Sequence, residues 1–421
     1  MFDLCLFDLD NTLLRTDDLE DIRLQGLGRI GDPNYASQLV GRFGVSGERH
    51  IYTLQHLSSL RSKWPNMRFG VFTRAPRAYT NAIVPHAYPN FLWDAVICFE
   101  EVQKGFHKPN GEGIRMAMNQ FGIRDPQRVV MVGDESADVR AAYNAGCYAV
   151  LDKASWPFRW DGNKHWRALE LIPDAVIEGP NELLPVLSDI GAHAPKLEWE
   201  FNLSFNGIGQ PRFSEINHFF PRELGLDNEH VKISSAGRHF SDWGSLDARR
   251  VWHDLTANLH QHKDAVDFPV QWCNTVHDFV RKSFPLLNFF KQSVTVAAIP
   301  ARPDRLPRMQ HFIVQLYNDF RGRPPLGATH DAVQFSTTLL GYTAGVRSHS
   351  GDHLKRLERF ENVRDHLVVA DGANVAGRDF VIIDDICTSG ATLMYAEKRL
   401  KEAGARKVVL FSLAKNVSNV L

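Results

Sequence analysis

Asp8 and Asp10 stand two residues apart at the end of an apolar run, in Phe7-Asp8-Leu9-Asp10-Asn11-Thr12. Alternate side chains of an extended strand share a face, so both carboxylates project to one side where strand gives way to loop. A carboxylate in that place can attack phosphorus, and a second can protonate the departing oxygen. The chemistry also needs a divalent cation and a positive side chain to neutralise phosphoryl charge. The chain supplies candidates in order: Thr73 in VFTRAP, Lys108 in FHKPNGEG, and Asp134 and Asp138 in VVMVGDESADVRAAYNAG.

A second cluster of reactive types lies near the other end, in DFVIIDDICTSGAT. An apolar strand runs into Asp384 and Asp385, and Thr388, Ser389, Gly390, Ala391 and Thr392 then lead into a helical pattern. Small residues and a glycine let backbone N–H groups converge on an anion, and the helix N-terminus adds partial positive charge. A phosphate in that loop with two carboxylates beside it matches a ribose 5-phosphate, whose hydroxyls the acids would accept from. Arg302, Lys355 and Arg359 are the basic candidates for further anionic groups.

These residues need scaffolds to place them. Over residues 1–190, apolar runs at Leu4–Leu9, Phe69–Phe72, Val129–Val132, Tyr148–Leu151 and Ala175–Ile177 read as buried parallel strands. Helical patterns such as Gly113–Phe121 and Ala137–Ala145 lie between them, the alternation of a doubly wound α/β fold. In open parallel sheets ligands bind at the carboxyl ends of strands, where Asp8 and Asp134 fall. From 293 the rhythm returns, with strands expected at Val294–Ile299, Phe380–Asp384 and Val408–Leu413 and helices at Met309–Phe320 and Ala391–Ala403. Residues 191–292 are rich in aromatics and histidine (Trp199, Phe201, Phe205, His218, Phe219, Phe220, Trp243, Trp252, Trp272) and are expected to form a connecting subdomain packed on, or part of, the domain that follows, since so many rings would not stay solvated. A helix is expected over Arg249–His262.

The four ordered motifs of residues 1–190 resemble the haloacid dehalogenase-like phosphatases. That resemblance implies a Rossmann-like domain in which Asp8 is the nucleophile, Asp10 the general acid/base, and Thr73 and Lys108 hold the phosphoryl group. Asp8, the Asp10 backbone carbonyl, Asp134 and Asp138 would form the Mg²⁺ shell. Only about sixty residues separate the first two motifs, so the cap is expected to be reduced. The C-terminal stretch 293–421 resembles the type I phosphoribosyltransferases, and over 350–415 most closely the ComF group, on Arg-x-x-Asn-Val, the acidic loop and the Ala-Gly-Ala turn. It implies an α/β domain where Asp384 and Asp385 bind ribose hydroxyls, Thr388–Thr392 cradle the 5-phosphate, and Arg302, Lys355 and Arg359 meet pyrophosphate.

The bulk composition narrows the function classes. A formal net charge of −1 gives no global attraction to nucleic acid, so direct nucleic-acid binding is not expected. Five scattered cysteines without paired spacing support neither disulfides nor zinc, and neither a secretory leader nor a membrane span is recognisable. The expectation is a cytoplasmic, Mg²⁺-dependent bifunctional enzyme of nucleotide metabolism. It would transfer phosphoribosyl from phosphoribosyl pyrophosphate to a base-like acceptor and hydrolyse the ester of a phosphorylated small molecule. The alternative is a phosphatase regulated by a non-catalytic phosphoribosyl-pyrophosphate-binding half, in a stress or DNA-related pathway. Assembly into a homo-oligomer stays open.

Overall fold

The computed structural model describes residues 1–45, 47–157, 163–201, 212–216, 231–287, 293–302, 305–323, 332–347 and 354–418. The first sheet has six parallel strands: β1 (Leu4–Phe7), β2 (Arg68–Phe72), β3 (Ala95–Ile97), β4 (Val129–Gly133), β5 (Tyr148–Asp152) and β6 (Ala175–Ile177). Their order, β3-β2-β1-β4-β5-β6, puts β1 in the middle between β2 and β4. Alternation along β1 sorts its side chains to two cores. Cys5 and Phe7 enter one cluster, Leu4 and Leu6 the other, so the sheet is covered on both faces.

The crossovers are helical: α1 (Glu20–Leu24), α2 (Pro33–Val45), α3 (Leu54–Lys63), α4 (Arg77–Ala87), α5 (Glu112–Gln120), α6 (Ser136–Ala145), α7 (Asn163–Leu169) and α8 (Leu183–Ser188). The stretch between Asp10 and Thr73 therefore holds α1, α2 and α3. α2 buries Tyr35, Leu39 and Phe43 in the same core as Ala78, Tyr79 and Ile83 of α4. Two turns of buried apolar contact fix it to the domain.

Beyond α9 (Lys196–Phe201) a second sheet forms from β7 (Ser214–Glu215), β8 (Ile233–Ser235), β9 (Arg238–Phe240), β10 (Val294–Ala298) and β11 (Val333–Ser336). A hairpin-like pair, β12 (Leu340–Tyr342) and β13 (Leu367–Val369), stands apart, and the chain returns to the sheet with β14 (Asp379–Cys387) and β15 (Lys407–Val417). The sheet order is β11-β10-β14-β15-β8-β7, parallel except for β7 against β8, with β9 continuing beside β15 past β8. Its helices are α10 (Asp247–Arg250), α11 (Asp254–Gln261), α12 (Val270–Ser283), α13 (Arg308–Gly322), α14 (Arg356–His366) and α15 (Ala391–Glu402). Both faces are again buried: Val381 and Ile383 enter one core, Phe380 and Ile382 another.

Several expectations are corrected. The strand at 380 does not stop at Asp384 but runs to Cys387, because β15 extends to Val417 and keeps pairing with it. The helix expected over Arg249–His262 is two helices. α10 ends at Arg250, and His253 caps a new helix by accepting from the Thr256 amide. Among the aromatics of the connecting region, Trp272 is buried but Trp243 is half exposed. Phe205, His218, Phe219 and Phe220 lie outside the described residues.

The two sheets share a core and a buried ionic junction. Phe240, Leu246 and Val417 from the second half pack into the cluster that contains Leu4, Leu6 and Met131. Arg238 on β9 donates to the Tyr143 hydroxyl (2.8 Å) and the Ile172 carbonyl (3.0 Å), and pairs with Asp174 (2.8 Å) and Glu198 (2.5 Å). Arg249 pairs with the same Asp174 (2.5 Å) and lies 3.9 Å over the Trp252 ring. The 191–292 region thus joins the two halves.

Candidate active sites

At the carboxyl edge of the first sheet, β1 ends at Phe7 and delivers Asp8 to a buried position. β2 delivers Thr73, whose amide donates to the Ile97 carbonyl and whose hydroxyl accepts from the Ala75 amide at 3.0 Å. β4 delivers Asp134, and the first turn of α6 adds Asp138. Carboxylate oxygens of Asp8, Asp134 and Asp138 lie within 4.8 Å of one another. Thr12 donates to Asp134 at 3.3 Å, and the Trp156 indole donates to the Asp134 carbonyl at 3.0 Å, tying that residue in place.

Lys108 inserts its ammonium between two of these acids, 2.6 Å from Asp8 and 2.7 Å from Asp138. Its side chain is 1% exposed, with the Phe72 ring 4.8 Å from the nitrogen. Burial alone would favour the neutral amine. Asp138 and Asp8 override that and hold the lysine protonated, above its usual range. Burial also pushes the Asp138 carboxyl upward, against the pull of Lys108.

The Asp10 side chain stands outside the three-carboxylate cluster. Thr16 donates to Oδ1 at 2.6 Å, the Tyr79 hydroxyl donates to Oδ1 at 3.0 Å, and Arg23 lies 3.0 Å from Oδ2. Its side chain is therefore not one of the grouped metal ligands. The cavity over these residues has a volume of about 500 Å³, and Arg23, Arg74, Phe99, Asp17 and Glu135 contribute its outer wall. Arg74 pairs with Glu135 across the rim.

The donor set fits a hard divalent cation. Three buried carboxylates offer oxygen ligands only, and one buried ammonium leaves the cluster with excess negative charge for an ion to offset.

The second set of candidates meets less completely. Arg302, Asp384, Asp385 and Thr388 line one cavity of about 490 Å³ at the carboxyl ends of β10 and β14. Burial pushes the Asp384 carboxyl up to about 7, with Arg308 and Arg302 pulling the other way. Gly390 sits at φ +75°, the left-handed conformation that opens α15 and that a side chain would strain. Arg302 lies 5.9 Å from the Tyr342 ring centroid, and Tyr342 interacts with Thr392, so the β10 end and the loop share a neighbour. Ser389, Gly390, Ala391 and Thr392 follow Thr388 into α15 but do not line the cavity.

Lys355 and Arg359 belong to a different place. Lys355 caps α14, and Arg359 donates to the Leu354 carbonyl at 2.8 Å, away from the cavity wall. In their stead stand Arg305 and Arg308, with Arg308 paired to Asp385. The spacing Arg302, Arg305, Arg308 was the available signal, three arginines in one segment that runs into the start of a helix. His239 and Asn416 supply another wall, and nothing in their local sequence marked them.

Comparison with known proteins bears on the first site. Residues 50–151 match the haloacid dehalogenase-like hydrolase family. This stretch is a haloacid dehalogenase-like domain. It holds Thr73, Lys108, Asp134 and Asp138, while Asp8 and Asp10 precede it and join through β1. An N-acetylmuramic acid 6-phosphate phosphatase from Pseudomonas aeruginosa is 28% identical over 119 residues, 28% of this chain. The chain spans about half the length (49%) of that curated relative. Among solved structures, CbbY from Rhodobacter sphaeroides in complex with phosphate is 16% identical, covering 44% of this chain and 96% of that one, with a TM-score of 0.30. A 2-haloacid dehalogenase from Pseudomonas syringae is 19% identical, covering 45% and 99%, with a TM-score of 0.29. Among the described residues no helix is long and apolar enough to cross a membrane.

Proposed function

We propose that this chain hydrolyses a small phosphate monoester at the first site and binds phosphoribosyl pyrophosphate at the second, where it transfers the phosphoribosyl group to a base-like acceptor. The observation that carries the first half is Lys108 buried between Asp8 and Asp138 with Asp134 alongside. An Asp8 oxygen attacks phosphorus, and the leaving oxygen takes a proton from Asp10. Water, deprotonated by Asp10, then attacks the aspartyl-phosphate. Thr73 and Lys108 hold the phosphoryl oxygens, and the fixed ammonium stabilises charge that grows as the bond breaks. Asp8, Asp134 and Asp138, with the Asp10 carbonyl, would hold Mg²⁺, which supplies electrophilic stabilisation of the phosphoryl group. A cavity of about 500 Å³ lined by several carboxylates, with Arg23 and Arg74 among them, offers acceptors for sugar hydroxyls and cations for a phosphate, which suits a phosphorylated sugar, the class named for the curated relative.

The second half of the proposal rests on the cavity shared by Asp384, Asp385, Thr388 and three arginines. The acids suit vicinal hydroxyls, and Arg302, Arg305 and Arg308 suit the pyrophosphate whose negative charge grows as C1 is displaced. Tethering the two sites raises the concentration of one site's product near the other. Five buried free thiols accord with a cytoplasmic location. The test supplies phosphoribosyl pyrophosphate, Mg²⁺ and a panel of free bases. Pyrophosphate followed by orthophosphate is expected, and Asp8→Asn stops only the second. A variant that alters neither product sinks the coupled scheme.

One feature favours a second reading, a phosphatase controlled by a ligand in the other half. Thr388, on the second cavity, accepts from Lys415 at 2.9 Å. Lys415 on β15 stands beside Arg238 of β9 in strand register, and the Arg238 guanidinium donates to the hydroxyl of Tyr143 on α6, the helix that also bears Asp138. Under this reading phosphoribosyl pyrophosphate changes phosphatase turnover severalfold without appearing in product, and Tyr143→Phe weakens the response. Turnover indifferent to the ligand, with binding verified by calorimetry, removes it.

A further inference from the structure

The proposed acid/base, Asp10, is held by three side chains drawn from three separate segments. Thr16 follows the loop behind β1, Arg23 projects from α1, and Tyr79 comes from α4. Thr16 and Tyr79 are buried and both donate to Oδ1, whereas Arg23 faces Oδ2 at 3.0 Å. An ionised carboxylate has about four acceptor positions, two on each oxygen. Thr16 and Tyr79 fill those of Oδ1. Oδ2 keeps one open beside the guanidinium, and Arg23 itself forms part of the cavity wall with its side chain 24% exposed.

We infer that Arg23 is the positioning residue for Asp10, fixing Oδ2 as the oxygen that exchanges a proton with the leaving group. This rests on the phosphatase reading above. As the Asp8–phosphorus bond forms, the bond from phosphorus to the ester oxygen breaks and its electron pair leaves with that oxygen. The oxygen takes the proton from Asp10 Oδ2. Arg23 stabilises the carboxylate that appears at that moment, and Thr16 and Tyr79 prevent the group from rotating. In the second step a water proton returns to Oδ2, while the water oxygen bonds phosphorus and the Asp8 bond opens. Arg23 is thereby required in proportion to how much the leaving oxygen needs a proton.

Leaving-group dependence tests this. p-Nitrophenyl phosphate releases a phenolate stable without protonation, whereas ribose 5-phosphate releases an alkoxide that is not. Arg23→Gln is expected to lower kcat for ribose 5-phosphate by about a hundredfold, and by at least tenfold less for the aryl ester, with KM for both changed less than kcat for the alkyl ester. Tyr79→Phe, which frees one position on Oδ1, shows the same ordering with a smaller loss. Arg23→Lys, which keeps the charge, recovers part of the alkyl activity. Equal losses on both esters, or a change confined to KM, overturn the assignment and make Arg23 a binding or purely structural residue. A wild-type protein that cleaves neither ester with Mg²⁺ instead removes the phosphatase reading, and this role with it.

Discussion

Asp174→Asn keeps the size of a side chain at the junction between the two halves while removing its charge. Asp174 Oδ1 meets Arg238 at 2.8 Å and Arg249 at 2.5 Å, and Oδ2 accepts from the Ala149 amide at 2.8 Å. Both arginine side chains are 1% exposed. After the substitution Arg238 retains the Glu198 carboxylate, but Arg249 loses its charged partner and retains the Cys147 carbonyl and the surrounding rings of Trp252, Tyr148, Tyr143 and Phe240. Removing one partner from a buried ionic group costs about 3–5 kcal/mol. Asparagine still offers one acceptor, which places the loss near the lower bound, about 3 kcal/mol, against a total of roughly 5–15 kcal/mol. Urea unfolding followed by tryptophan fluorescence measures it, and Asp174→Asn with Arg249→Met is expected to recover part of the loss. A single-variant loss below about 1 kcal/mol refutes the idea that this ion group holds the halves together. Acidity gives a second check. Burial would raise the Asp174 and Glu198 carboxyls, but Arg238 overrides it for both, helped by Arg249 for Asp174 and His253 for Glu198, and holds them below their usual range. Their stabilising contribution is complete above the unfolded values, near pH 4, and is lost as pH falls toward the folded values. The variant's stability therefore falls less steeply below pH 4 than that of the wild type.

Lys108→Met leaves Asp8 and Asp138 facing each other without their shared cation, and kcat for any phosphate ester is expected to fall by about 10²–10³, measured as orthophosphate release. Gly133→Ala would place a methyl carbon 2.2 Å from the Asp138 carboxyl carbon. Asp138 must then move, and Mg²⁺ affinity by calorimetric titration is expected to drop about 10–100-fold. At the second site, Arg308→Gln is expected to weaken phosphoribosyl pyrophosphate binding about tenfold or more, while Lys355→Gln changes it less than twofold; the reverse order shows that the cavity beside Asp385 is not the binding site.

Much of the scaffold was legible because burial on both faces leaves an apolar run that only a central parallel strand tolerates. Leu4–Phe7 and Val129–Gly133 could be read for that reason. The clustering of Thr73, Asp134 and Asp138 was legible too, since Thr73 and Asp134 follow strands and Asp138 lies in the first turn of a helix, whereas Lys108 comes from a loop and stood out by its place in the motif order alone. Arg23, Thr16 and Tyr79 were not legible. They reach Asp10 from helices and a loop with no fixed spacing, and an arginine on a short helix looks like any solvated charge. Lys355 and Arg359 fall outside the cavity wall because Lys355 precedes α14 and Arg359 turns back to the Leu354 carbonyl, a local geometry that sequence alone does not tell. The role of 191–292 was hidden because its decisive contacts, such as Arg238 with Asp174, join residues far apart in the chain.

The placement of Val417 has a consequence for synthesis. Its side chain completes the cluster around Leu4 and Met131, together with Phe240 and Leu246. A nascent chain has every strand of the first sheet once Ile177 has left the ribosome, yet that side of its core stays unsealed until Val417 emerges. At about 5–20 residues per second the delay is on the order of tens of seconds. During that interval the apolar face beneath α6 stays open to chaperones, and a ribosome stalled before Val417 would leave it so.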